Sequence, residues 1–229
     1  MANIVLIHGA YQGAWIWGPV AQRLRAKGHN VFAPTLDGCA ERKHQLRPGI
    51  NTETHGEEIS NLLFYEGLDD AVLVGTSSGG MVMARAAEQS RPRVSRVVFA
   101  DALALMPGER IRDIVKGPAS IEDDIAIGPS REDAAGRLFA GLDAATRDWA
   151  ADRVTLHARD VFYRPVELDS FWSDTWNATV LYCNQAPNPG EPHQRRCRDA
   201  LDARWHVLET GHYPMLSTPD ALVDIILED

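Results

Sequence analysis

Ala71-Val72-Leu73-Val74-Gly75 runs without a break into Thr76-Ser77-Ser78-Gly79-Gly80, and an Ala- and Met-rich stretch follows to about Gln89. An uninterrupted apolar run of this kind reads as a buried strand, and the segment beyond the glycines reads as a helix. Ser77 therefore falls on a sharp strand-to-helix turn with the pattern G-x-S-x-G. Small residues are needed on both sides because such a turn brings neighbouring backbone close. A serine at the start of the helix also has amide groups and the positive end of the helix dipole beside its oxygen. Ser77 is thereby a candidate nucleophile.

The same strand-and-helix rhythm recurs on both sides of this turn. Asn3 to His8 is a strand ended by Gly9, and a helix follows from Trp17 to Lys27, with Trp17, Val20, Ala21 and Leu24 at helical spacing, Pro19 in the first turn and Gly28 beyond the end. Val31 to Ala33 is a second strand, and Thr54 with Glu57 forms a capping-box pattern ahead of the helix carrying Ile59, Leu62 and Leu63. Further strands are expected at Val94 to Ala100, Ala178 to Cys183 and Trp205 to Leu208, and Thr218 with Pro219 opens a C-terminal helix. Alternation of this kind implies right-handed crossovers, so the fold class is α/β, a mostly parallel sheet of about six strands with helices on both faces.

Residues 106–176 break the rhythm. Ser130 can cap a helix through Phe139, Asp143 can cap another through Ala151, and no strand is expected there. The reading is an inserted helical cap, with the core made by 1–105 and 177–229. Its aromatic residues Phe139, Trp149, Phe162, Tyr163, Phe171, Trp172 and Trp176 read first as packing, since large aromatics are core residues before they are ligand contacts.

The formal charge of −9 argues against nucleic acid or an anionic membrane as a partner, because either needs a basic face. A small neutral molecule fits better, and a homodimer is left open. Cys39, Cys183 and Cys197 are odd in number and lack CxxC spacing, so neither a metal nor a redox pair is expected and a reducing compartment, the cytoplasm, is. No leader is expected ahead of the first strand, since the run Ile4 to Ile7 begins almost at Met1 and is far too short to span a bilayer.

A serine hydroxyl near its ordinary pKa needs a neutral imidazole to take its proton. His212, in Thr210-Gly211-His212-Tyr213-Pro214, lies beyond the last strand and before the final helix, where a loop can bring it to Ser77. His8 is expected to shape the first loop, while His29, His44, His55, His157, His193 and His206 have ordinary surface or loop readings. Acyl transfer further needs amide donors for a developing oxyanion. The Ala10 N–H after His8-Gly9 and the Ser78 N–H after the nucleophile are the candidates. For the acid behind His212 two carboxylates compete. Glu191 is the only one in Asn184 to Glu191, and Asp101 follows Phe99-Ala100 at the end of the fourth strand, from which it can reach an imidazole on the open top of the sheet. Asp101 is preferred.

With the loop His8-Gly9-Ala10-Tyr11-Gln12-Gly13-Ala14-Trp15, the turn at Ser77 and the pair Gly211-His212 in view, the chain resembles the α/β-hydrolases, in particular short bacterial esterases related to plant methylesterases and hydroxynitrile lyases. The resemblance covers nearly the whole length and is weakest in the cap. It implies a cofactor-free hydrolase of a small, apolar or aromatic ester or lactone, with Ser77, His212 and Asp101 as triad and the Ala10 and Ser78 amides as oxyanion donors. Phe99-Ala100-Asp101-Ala102 looks like the segment where bacterial members carry an aspartate. The lyases of this group use a threonine in the first loop and a lysine after the histidine; Gly9 and Tyr213 stand there, so cyanohydrin cleavage is not expected. Thr76 and Ser78 replace larger residues often seen around the nucleophile. Two other readings remain, a cofactor-free dioxygenase of the same fold and a ligand-binding receptor with residual hydrolase activity.

Overall fold

Six strands form the central sheet in the computed structural model, which describes residues 1–115 and 119–228. They are β1 (Asn3–Ile7), β2 (Asn30–Phe32), β3 (Ala71–Ser77), β4 (Val94–Ala102), then β8 (Ala178–Cys183) and β9 (Arg204–Leu208), separated from β4 by three short strands given below. Their order is β2-β1-β3-β4-β8-β9, and every ladder is parallel. The expected α/β sheet is therefore present.

Alternation along the strands feeds two cores. Val5, Ile7, Leu73, Val97, Phe99 and Val180 pack on one face with Ile59 and Leu63 of α2 (Thr52–Tyr65), Met81 and Met83 of α3 (Gly79–Gln89), and Cys197 and Leu201 of α8 (Glu191–Leu201). Ile4, Leu6, Val74, Val98 and Leu181 pack on the other with Val20 and Leu24 of α1 (Gly18–Ala26) and Leu222, Val223 and Ile226 of α10 (Pro219–Leu227). Burial on both faces explains why these strands read as continuous apolar runs.

The chain leaves β1 toward β2 on one side and returns to β3 on the other. In an open parallel sheet such a reversal leaves a crevice beyond the carboxyl ends of the strands. The ends of β1, β3 and β4 all open onto that crevice, which is where the loop after His8, Ser77 and Asp101 lie.

Between β4 and β8 the chain forms α4 (Ile111–Ile114), β5 (Ile121–Glu122), β6 (Ala126–Gly128), α5 (Arg131–Asp133) running into a π-turn at Ala134–Leu138, α6 (Ala144–Ala151), β7 (His157–Ala158) and α7 (Asp160–Tyr163). Asp143 caps α6 through the Ala145 and Thr146 amides, and Ser130 Oγ accepts from the Asp133 N–H. The expectation of no strand here is wrong: β5, β6 and β7 pair as a small antiparallel sheet. Strands of two or three residues carry no readable period, and these are held by tertiary contact. A second correction concerns α2, whose cap is Asn51 with Thr54, not Thr54 with Glu57. Asn51 Oδ1 accepts the Thr54 N–H at 3.0 Å, and Thr54 Oγ1 accepts the Asn51 N–H at 3.4 Å. Asparagine is as good an N-cap as threonine, and the earlier position won.

Most of the cap aromatics do pack. Phe139 and Phe171 are fully buried, and only Phe162 of the seven faces the main cavity. Short helical turns join the larger elements: Ala14–Trp17 ahead of α1, Ala40–Gln45 after β2, Arg91–Arg93 ahead of β4, and α9 (Pro214–Ser217) ahead of α10. Among the described residues no helix is long and apolar enough to cross a membrane.

Candidate active site

Ser77 closes β3 with φ +52°, a left-handed conformation that costs a non-glycine residue energy and persists only where the surroundings enforce it. The enforcement comes from the two glycines of the motif. A Cβ on Gly75 would stand 2.6 Å from the Gly79 carbonyl oxygen, and one on Gly79 would stand 2.5 Å from the His8 carbonyl oxygen. The start of α3 is thus pressed against the end of β1. Gly9 is bound by the same crowding, since its Cβ would meet Ser77 Cβ at 2.6 Å.

Asp101 is positioned by an irregularity of the sheet. Thr76 pairs with Ala100 but Ser77 pairs with Ala102, so Asp101 is the extra residue of a bulge, with φ +49°. Bulges re-aim a side chain out of the strand's alternation. The buried Asp101 carboxylate uses both oxygens: Oδ1 accepts the Cys183 N–H at 3.0 Å, and Oδ2 lies 2.6 Å from His212 Nδ1. An acceptor-only carboxylate facing Nδ1 takes an N–H from that nitrogen. In the neutral imidazole this contact fixes the tautomer, with Nε2 as the free acceptor.

His212 stands in the loop between β9 and α9. The Gln185 N–H donates to the Thr210 carbonyl, and Thr210 Oγ1 pairs with Ser217 Oγ at 2.6 Å, so the loop is tied at both ends. His212 shares with Ser77, Ala10 and Ser78 the wall of one cavity of about 580 Å³. The structure thus brings Ser77, His212, Ala10 and Ser78 to one wall, with the Asp101 carboxylate on the Nδ1 side of the imidazole. Glu191 does not join them. It opens α8, pairs with Arg195 at 2.6 Å and stays half exposed.

Some of the remaining histidines depart from their surface or loop reading, and His8, expected to shape the first loop, is buried with them. His8, His55 and His157 are buried, and His193 largely so. His8 Nδ1–H donates to the Gly9 carbonyl at 2.8 Å while Nε2 accepts the Leu36 N–H at 3.0 Å, which staples the first loop to the chain after β2. Burial lowers His8 to about 4 despite its bond to Gly9, and burial with the nearby Arg196 charge lowers His193 to about 4. Burial also pushes His55 and His157 down. Polar burial depends on partners far along the chain, so local sequence gave no sign of it.

Three further wall residues were missed. Gln12 Oε1 accepts the buried Gly9 N–H at 3.3 Å, fixing the backbone beside Ala10. Arg112 and Arg137 reach the cavity from the cap, where no motif marks them.

Residues 4–225 match the model of the Alpha/beta hydrolase family. The chain belongs to that family. Among other alpha/beta hydrolases it is 36% identical over 256 residues to methylesterase 1 of Arabidopsis thaliana, covering 99% of this chain and 95% of that protein. It is 38% identical over 148 residues to a carbendazim hydrolyzing esterase of Nocardioides sp. (strain SG-4G), covering 65% of this chain and 57% of that one. The chain spans about half the length of several curated relatives it matches. In structure it resembles an extracellular alpha/beta-hydrolase of a Paenibacillus species, with a TM-score of 0.80 at 23% identity over 99% of this chain and 98% of the other.

Proposed function

We propose that this alpha/beta hydrolase cleaves a small carboxylic ester or lactone through an acyl-enzyme on Ser77. The observation that carries the reading is the contact between His212 Nδ1 and the buried Asp101 carboxylate, with His212 and Ser77 on one cavity wall. The relatives named as esterases support it.

In the first half-reaction Ser77 Oγ forms a bond to the ester carbonyl carbon as its proton passes to His212 Nε2. The carbonyl oxygen becomes an oxyanion, held by the Ala10 and Ser78 amides. When the carbonyl re-forms, the bond from carbon to the leaving oxygen breaks, and Nε2 gives its proton to that oxygen, releasing an alcohol. Water then attacks the acyl carbon, Nε2 takes a proton from the water, and Ser77 Oγ leaves and is reprotonated, freeing the acid. Asp101 holds the tautomer and stabilises the imidazolium in both halves. Donors fixed before reaction cost no reorganisation, and each is worth about 10² in rate or more.

Leu103, Ile111, Val115, Leu138 and Phe162 make much of the cavity wall apolar, which suits an aliphatic or aromatic ester body. The cysteines are all buried and unpaired, which supports a reducing, cytoplasmic setting.

A panel of aryl and alkyl esters and lactones tests the reading. The wild type should turn over at least one of them, and Ser77→Ala should lose about 10³-fold or more of that rate. Full retention of hydrolysis by Ser77→Ala sinks it.

A further inference from the structure

Two guanidinium groups reach the cavity that holds Ser77 and His212. Arg112 comes from α4 and Arg137 from the turn at Ala134–Leu138. Among the described residues no aspartate or glutamate lines that cavity, although the chain has 32 of them and a net charge of −9. The wall of an acidic protein is here selectively cationic.

The charges act inside the cavity. Burial foremost pushes the Tyr11 phenol up, the fields of Arg112 and Arg137 oppose that push, and the weaker field of Glu122 adds to it. Tyr11 itself lines the cavity and adjoins Ala10, so the fields of both arginines extend to the residue next to a proposed oxyanion donor.

Asp133 and Glu122, the acidic side chains near Arg137 and Arg112, stay outside the wall. Arg137 Nε meets Asp133 at 3.3 Å, with both side chains at least a third exposed, and Asp133 also accepts from Ser130 and Ser120. An exposed pair of that kind contributes little. Arg112 lies 5.4 Å over the Tyr163 ring, which orients its plane. Nearby Glu122 is engaged by Arg159 at 3.0 Å and by the Tyr163 hydroxyl at 2.8 Å.

We propose that the substrate is an anionic ester, carrying a carboxylate apart from the scissile carbonyl, and that Arg112 and Arg137 bind this carboxylate while the apolar wall holds the body between. The proposal rests on the ester-hydrolase reading above. A carboxylate entering a partly dewatered cavity loses hydration that only charge-assisted hydrogen bonds replace, and guanidinium supplies them in a planar fork. A neutral ester of the same shape would instead lay hydrocarbon against the cations and strip their water without return. The same two residues thus favour one class and disfavour the other.

Mono(4-nitrophenyl) esters of adipic, pimelic and suberic acids, compared with the matching monocarboxylic esters in which isopropyl replaces the carboxylate, test this directly. The wild type is expected to show kcat/KM about tenfold or more higher for the best half-ester than for its neutral partner at low salt, with the preference shrinking as ionic strength rises. The ratio should fall about tenfold in Arg112→Gln/Arg137→Gln, and the double lysine variant should retain more of it than the double glutamine variant. If the neutral esters are cleaved with full dependence on Ser77 but the half-esters gain no preference, the anionic-substrate proposal is wrong and the esterase reading stands. A preference that survives both substitutions overturns the assignment to these arginines. If no ester of either class is cleaved, the esterase reading fails and this proposal falls with it.

Discussion

His212 Nδ1 and Asp101 Oδ2 lie 2.6 Å apart, and the aspartate reaches that position because a bulge opposite Ser77 takes it out of the alternation of β4. The same bulge carries the left-handed φ of Asp101, and the facing strand carries that of Ser77. Two strained residues on neighbouring strands thus stand one behind the imidazole and one on the cavity wall in front of it. Strain at both points is consistent with a constellation held by its surroundings.

Asp101→Asn should preserve the bond from the Cys183 amide, since an amide oxygen can still accept it. Its NH₂ would then face His212 Nδ1 and force the wrong tautomer. A fall in kcat of about 10³-fold or more is expected in ester assays, with little change in unfolding midpoint. Glu191→Gln, which removes only a surface pair with Arg195, should stay within about twofold of wild type. Inactive Glu191→Gln beside active Asp101→Asn would misplace the acid.

Ser77→Gly and Ser77→Ala should both be inactive but unequal in stability. At φ +52° glycine escapes the penalty that alanine keeps, and its larger unfolded-state entropy subtracts from that gain. Urea unfolding should find Ser77→Gly more stable than Ser77→Ala by up to about 1 kcal/mol. Gly79→Ala should do the reverse and lower stability by about 1–3 kcal/mol or more, because its Cβ meets the His8 carbonyl at 2.5 Å.

Gln12→Leu leaves the buried Gly9 N–H without its acceptor. An unsatisfied buried donor costs about 1–3 kcal/mol, part of it recovered by moving the loop that presents the Ala10 amide. A drop in kcat of about tenfold with a smaller change in KM is the expected signature, read by steady-state kinetics on one aryl ester.

Acid should destabilise the fold through its buried histidines. His8 and His193 are held at about 4, below the ordinary 6.5, by burial foremost. The unfolded chain therefore binds their protons first as pH falls. Their contribution is complete above about pH 6.5 and is lost progressively down to about pH 4, at about 1.4 kcal/mol per pH unit for each imidazole inside that window. Chemical denaturation at pH 7, 6, 5 and 4.5 measures the slope. His193→Gln, freed of one such group, should show a shallower slope than wild type.

Much of this was legible because the central strands are buried on both faces. Ala178 to Cys183 reads as a strand at its observed bounds because nothing but apolar and β-branched character fits that place. The two added residues of β4, Asp101 and Ala102, are poor strand formers held by the bulge, so the strand looked shorter than it is. Ser77 was marked by glycines whose absence of a Cβ is a local need. Arg112 and Arg137 were not marked at all, because lining a cavity depends on how the cap lies over the sheet, and Gln12, though inside the first loop, carries no local sign that its side chain turns back to the Gly9 N–H. The strands of the cap were invisible because two or three residues carry no readable period, whether paired in a short hairpin, as β5 with β6, or across distant chain, as β6 with β7.

The most direct test is covalent. A fluorophosphonate that phosphorylates an activated serine should label the wild type at one equivalent, peptide mapping should place the adduct on Ser77, and Ser77→Ala should remain unlabelled while His212→Ala labels far more slowly. Labelling confined to another residue, with Ser77 unmodified and ester turnover abolished, would contradict the account.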